Sequence, residues 1–80
     1  MELIEITREE VINNCEEYYE NKQQFFIKTK SERGLRSAYL YQGEEYDIFG
    51  EIKLVYCFDY DNCDSSDLED EEIEHIYIIQ

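Results

Sequence analysis

The stretch EIKLVYCFDY, residues 51–60, divides into two interleaved sets: Ile52, Leu54, Tyr56, Phe58 and Tyr60 alternate with Glu51, Lys53, Val55, Cys57 and Asp59. Successive side chains of an extended chain point to opposite faces. A period of two over this length therefore predicts a β-strand with the first set packed inward and the second toward solvent. Gly50, just ahead of it, marks a bulge or turn.

Working outward, residues 24–30 and 35–41 are rich in Phe, Ile, Thr and Tyr and predict two strands joined as a hairpin through Ser31-Glu32-Arg33-Gly34. Gln42-Gly43 predicts the next turn, and residues 45–49 begin a third strand. Beyond residue 60, the polar and acidic residues 61–72 predict a loop, and residues 73–79 a final strand. Residues 2–6 suit a short opening strand. Thr7 then fits a helix N-cap with Glu10 completing a capping box, and Ile6 and Val11 stand where a hydrophobic staple belongs. Val11, Ile12, Cys15, Tyr18 and Tyr19 recur at helical spacing, which predicts one amphipathic helix over residues 8–20, stopped at Asn21. Its other face gathers Glu9, Glu16, Glu17 and Glu20, where the Glu16/Glu20 pair costs a few tenths of a kcal/mol by repulsion. The expected fold is α+β: an N-terminal amphipathic helix packed on an antiparallel sheet of about four to five strands, forming a single domain over residues 1–80.

Eighty residues supply one core and no second one. With 42% apolar residues, among them eight Tyr and four Phe, the chain has the material for that core and lacks the composition of a disordered acidic segment. Twenty-one acidic residues against seven basic ones give a net charge of −14. Phosphate contacts come mainly from Lys and Arg, so this balance argues against direct nucleic-acid binding and for a cationic partner. Cys15, Cys57 and Cys63 form an odd set, too sparse for a disulfide-stapled secreted domain. Together with an amino terminus lacking a basic region and a long apolar stretch, they predict a cytoplasmic protein that is neither exported nor inserted in a membrane.

The acidity is segregated. Residues 1–36 carry six basic and eight acidic side chains, whereas residues 37–80 set Lys53 alone against thirteen acids. Asp59, Asp61, Asp64, Asp67, Glu69, Asp70, Glu71, Glu72 and Glu74 place nine carboxylates in sixteen residues without a countercharge. Carboxylates two apart on a strand sit roughly 6.6–6.8 Å from each other, comparable in scale with successive phosphates of a nucleic-acid strand. Size, charge and aromatic content together resemble the DNA-mimic inhibitors that phages and other mobile elements encode, among them anti-restriction proteins, anti-CRISPR proteins and uracil-DNA glycosylase inhibitors. That resemblance implies an inhibitor acting in the host cytoplasm on the basic groove of a nuclease or other nucleic-acid-binding protein. The nine carboxylates of residues 59–74 would then serve as phosphate surrogates. Glu44, Glu45, Asp47 and Glu51 would extend the surface, and Tyr60 would anchor it by offering its ring to a partner's Arg or Lys.

Opposite the acidic half, Lys22, Lys28, Lys30, Arg33 and Arg36 against Glu32 make residues 22–36 locally positive. This patch suits neutralisation of the chain's own acidic loop. Alternatively, the chain is a small structural protein that self-associates, as a homodimer, through its basic hairpin and acidic half.

Metal and catalytic chemistry find little support. Asp59-Tyr60-Asp61 begins like a calcium loop, but Asp64 stands where the sharp turn needs Gly and Asp70 where a bidentate Glu is usual. The three cysteines and His75 lack the short paired spacing of zinc sites. Cys15 belongs to the apolar helix stripe, Cys57 to an acidic setting that disfavours a thiolate, and His75 has no nucleophile placed beside it. No catalytic residue, cofactor or metal ligand is assigned.

Overall fold

The computed structural model describes residues 2–80, which form six antiparallel strands and two short helices. In chain order these are β1 (Leu3–Ile6), α1 (Arg8–Asn13), α2 (Cys15–Glu20), β2 (Phe25–Thr29), β3 (Leu35–Tyr46), β4 (Ile52–Tyr60), β5 (Ser65–Asp67) and β6 (Ile73–Ile79). One sheet holds all the strands in the order β1-β6-β2-β3-β4-β5. The α+β class is as expected, with one more strand than the upper expectation and a broken helix.

The helix begins as its sequence requires: the Glu10 amide donates to Thr7 Oγ1 at 3.1 Å, which satisfies an otherwise orphaned N–H of the first turn. The reciprocal half of the box is not made, because the Glu10 carboxylate instead accepts from the Tyr18 hydroxyl at 3.4 Å. The single helix expected over residues 8–20 is two, divided at Asn14 (φ −124°, ψ 21°). Asn14 also donates its side-chain amide to the Glu10 carbonyl at 2.9 Å. Asn is prone to such side-chain competition for backbone partners, and the carboxylates of α2 add repulsion that a straight helix would have to absorb.

Both helices lie on one face of the sheet. Val11 is fully buried, while Ile12, Cys15 and Tyr18 pack partly against the core. Phe25, Ile27, Ala38 and Phe58 lose all contact with solvent, with Ile73, Ile76 and Ile78 of β6 beside them. Edge-to-face contacts link Tyr18 to Phe25 and Phe25 to Phe58, each with ring centroids 5.4 Å apart. Such pairs add specificity to the area that aromatic side chains bury.

Two strand expectations are corrected. Gln42-Gly43 is not a turn: β3 runs straight through it to Tyr46, pairing Gln42 with Tyr56 and Gly43 with Val55, so no separate strand exists over residues 45–49. Gly43 keeps a negative φ and the Gln42 amide donates to the Tyr56 hydroxyl at 2.9 Å, so both residues serve the ladder. The chain reverses at residues 47–50. There Asp47 Oδ1 accepts from the amides of Phe49 and Glu51 at 2.8 and 2.9 Å, and Gly50 takes the left-handed φ of +79°. The second correction is β5, which lies inside the expected loop and pairs Ser65, Ser66 and Asp67 with Asp59, Phe58 and Cys57.

The strands are unequal in length, and this shapes the molecule. β2 pairs with β3 only up to Ala38, and β5 covers β4 only from Cys57 to Asp59. The upper parts of β3 and β4 therefore leave the sheet as a two-stranded arm, and the chain extends 44 Å along its longest axis against 26 and 21 Å across. Ile52 and Leu54, expected to face the core, are 58% and 49% exposed, because the alternation continues past the point where helices and core end. Ile48 and Phe49 at the arm's tip are 93% and 83% exposed.

Candidate acidic interaction surface

The expected anchor, Tyr60, is not on the surface. It is 4% exposed, its hydroxyl shares a 2.8 Å hydrogen bond with Ser66, and the Arg36 guanidinium carbon sits 4.0 Å above its ring centroid. Tyr60 does stack a cation, but that cation is the chain's own. The reason lies in the register. Tyr60 continues the inward set of Phe58, and β5 folds back over this end of β4 to enclose it.

Of the thirteen carboxylates expected at the site, all are exposed except Asp70, which is half-buried and caps the following turn by accepting from the Glu72 amide at 2.9 Å. They do not form one row. The strand ends at Tyr60, and the Tyr60 amide donates to the Asp64 carbonyl at 2.9 Å, so Asp61 lies in a turn rather than in line with Asp59. Asp59 pairs across the sheet with Tyr39, whereas Glu74 lies on β6 beside Lys28. Glu45, Asp67, Glu69 and Asp70 come together along a groove between the arm and the β5–β6 connection. Glu44 belongs to β3, while Asp47 and Glu51 frame the turn at its tip. Asp61 and Asp64 border the β4–β5 turn, and Glu71 and Glu72 lead into β6.

The basic hairpin meets part of this surface. Arg36 contacts Asp64 at 3.3 Å and Glu32 at 3.7 Å and donates to Asn62 Oδ1 at 2.8 Å, and Lys28 reaches Glu74 at 3.3 Å. Among the described residues, the remaining eleven carboxylates of the surface have no cationic partner within salt-bridge distance. Arg36 thus fixes the acidic β4–β5 turn to the sheet without cancelling the surface. Exposed pairs of this kind are each worth only a fraction of a kcal/mol, so their main effect is on geometry.

Cys57 shows what this surface does to an ionisable neighbour. Burial pushes its thiol upward, and the charges of Asp59 and Asp67 add to the effect. The thiolate is disfavoured there, as nucleophilic chemistry would not want. Among the described residues no group of three or more His, Cys, Asp or Glu side chains is placed to hold a metal ion, and no helix is long and apolar enough to cross a membrane. His75 Nδ1 lies 2.7 Å from Glu5 Oε2 on the sheet face away from the helices.

Sequence reading missed the apolar tip and the groove. Asp47-Ile48-Phe49-Gly50 held a signal for the first, since two large apolar residues between an Asx-type turn residue and Gly have nowhere to be buried. The groove depends on where β5 stops, which no local pattern encodes. The fold and surface together define an α+β domain that displays carboxylates on a sheet and on the turns that connect its strands. Comparison of the chain with protein-family models, with curated proteins and with solved structures returned no match.

Proposed function

We propose that this chain is an acidic binding protein that inhibits a nuclease or other nucleic-acid-binding protein by occupying its basic groove, its carboxylates standing in for phosphates. One observation carries the reading: the carboxylates of residues 59–74 are held by strands and hydrogen-bonded turns rather than on a mobile tail, and most have no internal countercharge. Holding like charges together works against folding in a small domain, and a cationic partner relieves that repulsion on binding. Preordered charge also lowers the entropy lost on association. Residues of the arm, Glu44, Glu45, Asp47 and Glu51, enlarge the negative field that steers encounter.

The test is competition. The chain, immobilised, is exposed to an extract of its host, and bound protein is challenged with duplex DNA and separately with salt. The expected result is a nucleic-acid-binding protein released by either challenge and not retained by the variant Asp61→Lys/Asp67→Lys/Glu69→Lys, whose three positions have no ion pair to lose. A partner that DNA does not displace and the variant still holds refutes the reading.

A further inference from the structure

Strand β4 has one edge that is only half used. The Asp47 amide donates to the Glu51 carbonyl at 3.0 Å, and in an antiparallel ladder such bonded pairs recur at every second residue. The odd-numbered residues of β4 therefore turn their backbone groups to β3, and Ile52, Leu54, Tyr56, Phe58 and Tyr60 turn theirs to the other side. There β5 takes up Phe58 opposite Ser66, and the Asp64 carbonyl accepts from Tyr60. Ile52 and Leu54 have no backbone partner on that side among the described residues, and Tyr56 stands next to the last β5 pairing, Cys57 with Asp67. Proteins usually shorten, charge or cover such an edge, since it invites another strand. Here the run 52–58 contains no carboxylate, in a half-chain that otherwise holds thirteen.

Beside this edge runs a groove of about 610 Å³. Leu54, Tyr56, Ile12, Cys15 and Leu68 give it an apolar lining. Glu45, Asp67, Glu69 and Asp70 contribute four carboxylates against the single Lys53. We propose that the β4 edge is a β-strand addition site for an extended segment of another protein that alternates apolar residues with Lys or Arg, continuing the sheet where β5 stops. Backbone hydrogen bonds to Ile52 and Leu54 supply the register, the apolar lining takes one set of side chains, and the rim takes the other. A second copy of this chain fits less well, because it brings the same net-negative rim to face its own. The free edge of β3 is a poorer site, since Glu44 and Glu45 stand within the strand. The basic character of the segment rests on the acidic-surface reading above; the mode of binding rests on the open edge alone.

The experiment uses the whole chain, isotope-labelled, and the synthetic peptide acetyl-Lys-Val-Arg-Val-Lys-Val-amide. Two controls accompany it: the same peptide N-methylated at alternate backbone positions, and one with Ser replacing Lys and Arg. Saturable binding is expected, with slowed amide exchange at Ile52 and Leu54. Loss of the backbone bonds should weaken the N-methylated peptide by at least about tenfold. Leu54→Pro, which removes an N–H directed away from β3, abolishes binding while Lys53→Glu strengthens it. Equal binding of the N-methylated peptide overturns strand addition and leaves the acidic-surface reading standing. N-methyl-sensitive binding of the Ser peptide at equal strength overturns the basic segment and leaves the edge. No binding of any peptide overturns the proposal. So does a dimer by light scattering that Leu54→Pro dissociates, which would give the edge to a second copy.

Discussion

Replacing Arg36 by Ala tests how the acidic β4–β5 turn is held. The guanidinium lies 4.0 Å over the Tyr60 ring and its side chain is only 15% exposed, so the cation–π contact is partly desolvated and contributes about 0.5–2 kcal/mol. Its ion-pair partners are far wetter, Glu32 at 50% and Asp64 at 71% exposed, and each pair adds about 0.2–1 kcal/mol at most. The loss should total roughly 1–4 kcal/mol, which for a domain of this size lowers the melting temperature on the order of 10 °C. Thermal unfolding followed by circular dichroism measures it, at low salt and again at about 0.5 M NaCl, where the exposed pairs are screened. The deficit should persist in salt, because the stacking is not screened as the surface pairs are. Arg36→Lys should recover the charge but only part of the stability, since an ammonium cannot stack as a planar guanidinium does. If Arg36→Ala melts within about 2 °C of the parent, or salt removes the deficit entirely, Arg36 does not pin this turn through Tyr60.

Four further outcomes follow from the packing, from Cys57 and from the net charge. Phe58→Ala, at a fully buried ring in contact with Phe25, should cost about 3–5 kcal/mol by denaturant titration, whereas Phe49→Ala at the exposed tip should change stability by no more than about 0.5 kcal/mol. Iodoacetamide requires the thiolate, so Cys57 should alkylate more slowly than exposed Cys63 at mildly alkaline pH, as read by peptide mass spectrometry. Because the folded state holds the Cys57 proton to higher pH than the unfolded chain, that group's stabilisation is present below the unfolded thiol's range and is lost as pH rises through the folded one; Cys57→Ser should flatten this alkaline decline. Added NaCl should raise the melting temperature of the parent chain, since a charge of −14 repels itself most strongly at low ionic strength, and a fall instead would place the balance of charge effects with the internal ion pairs.

The elements that sequence displayed are those built from local pattern. Thr7 announces the helix because its hydroxyl can reach an orphaned amide three residues on, and the alternation ending at Phe58 and Tyr60 announces the strand because both side chains do enter the core. The same alternation misleads at Ile52 and Leu54. It reports which face a side chain occupies, not how far the covering layer extends. Gln42-Gly43 carries turn chemistry, yet the cross-strand partners Tyr56 and Val55 outweigh it, a tertiary effect absent from a six-residue window. The candidate surface was legible as a charge count, and its carboxylates are indeed exposed with the half-exception of Asp70. Their grouping was not legible, because it depends on the β4–β5 turn and on the end of β5. Tyr60 failed as an anchor for a related reason: its acidic neighbours in sequence lie outside the core that it enters.

The salt dependence of binding bears most directly on the proposed role of these carboxylates. With the captured partner in hand, the logarithm of its affinity is plotted against the logarithm of salt concentration for the parent chain and for Asp61→Lys/Asp67→Lys/Glu69→Lys. A groove built for phosphates should give the parent a steep negative slope, and the variant a shallower one with at least about a hundredfold weaker binding at low salt. A flat slope shared by both proteins would mean that the carboxylates do not stand in for phosphates.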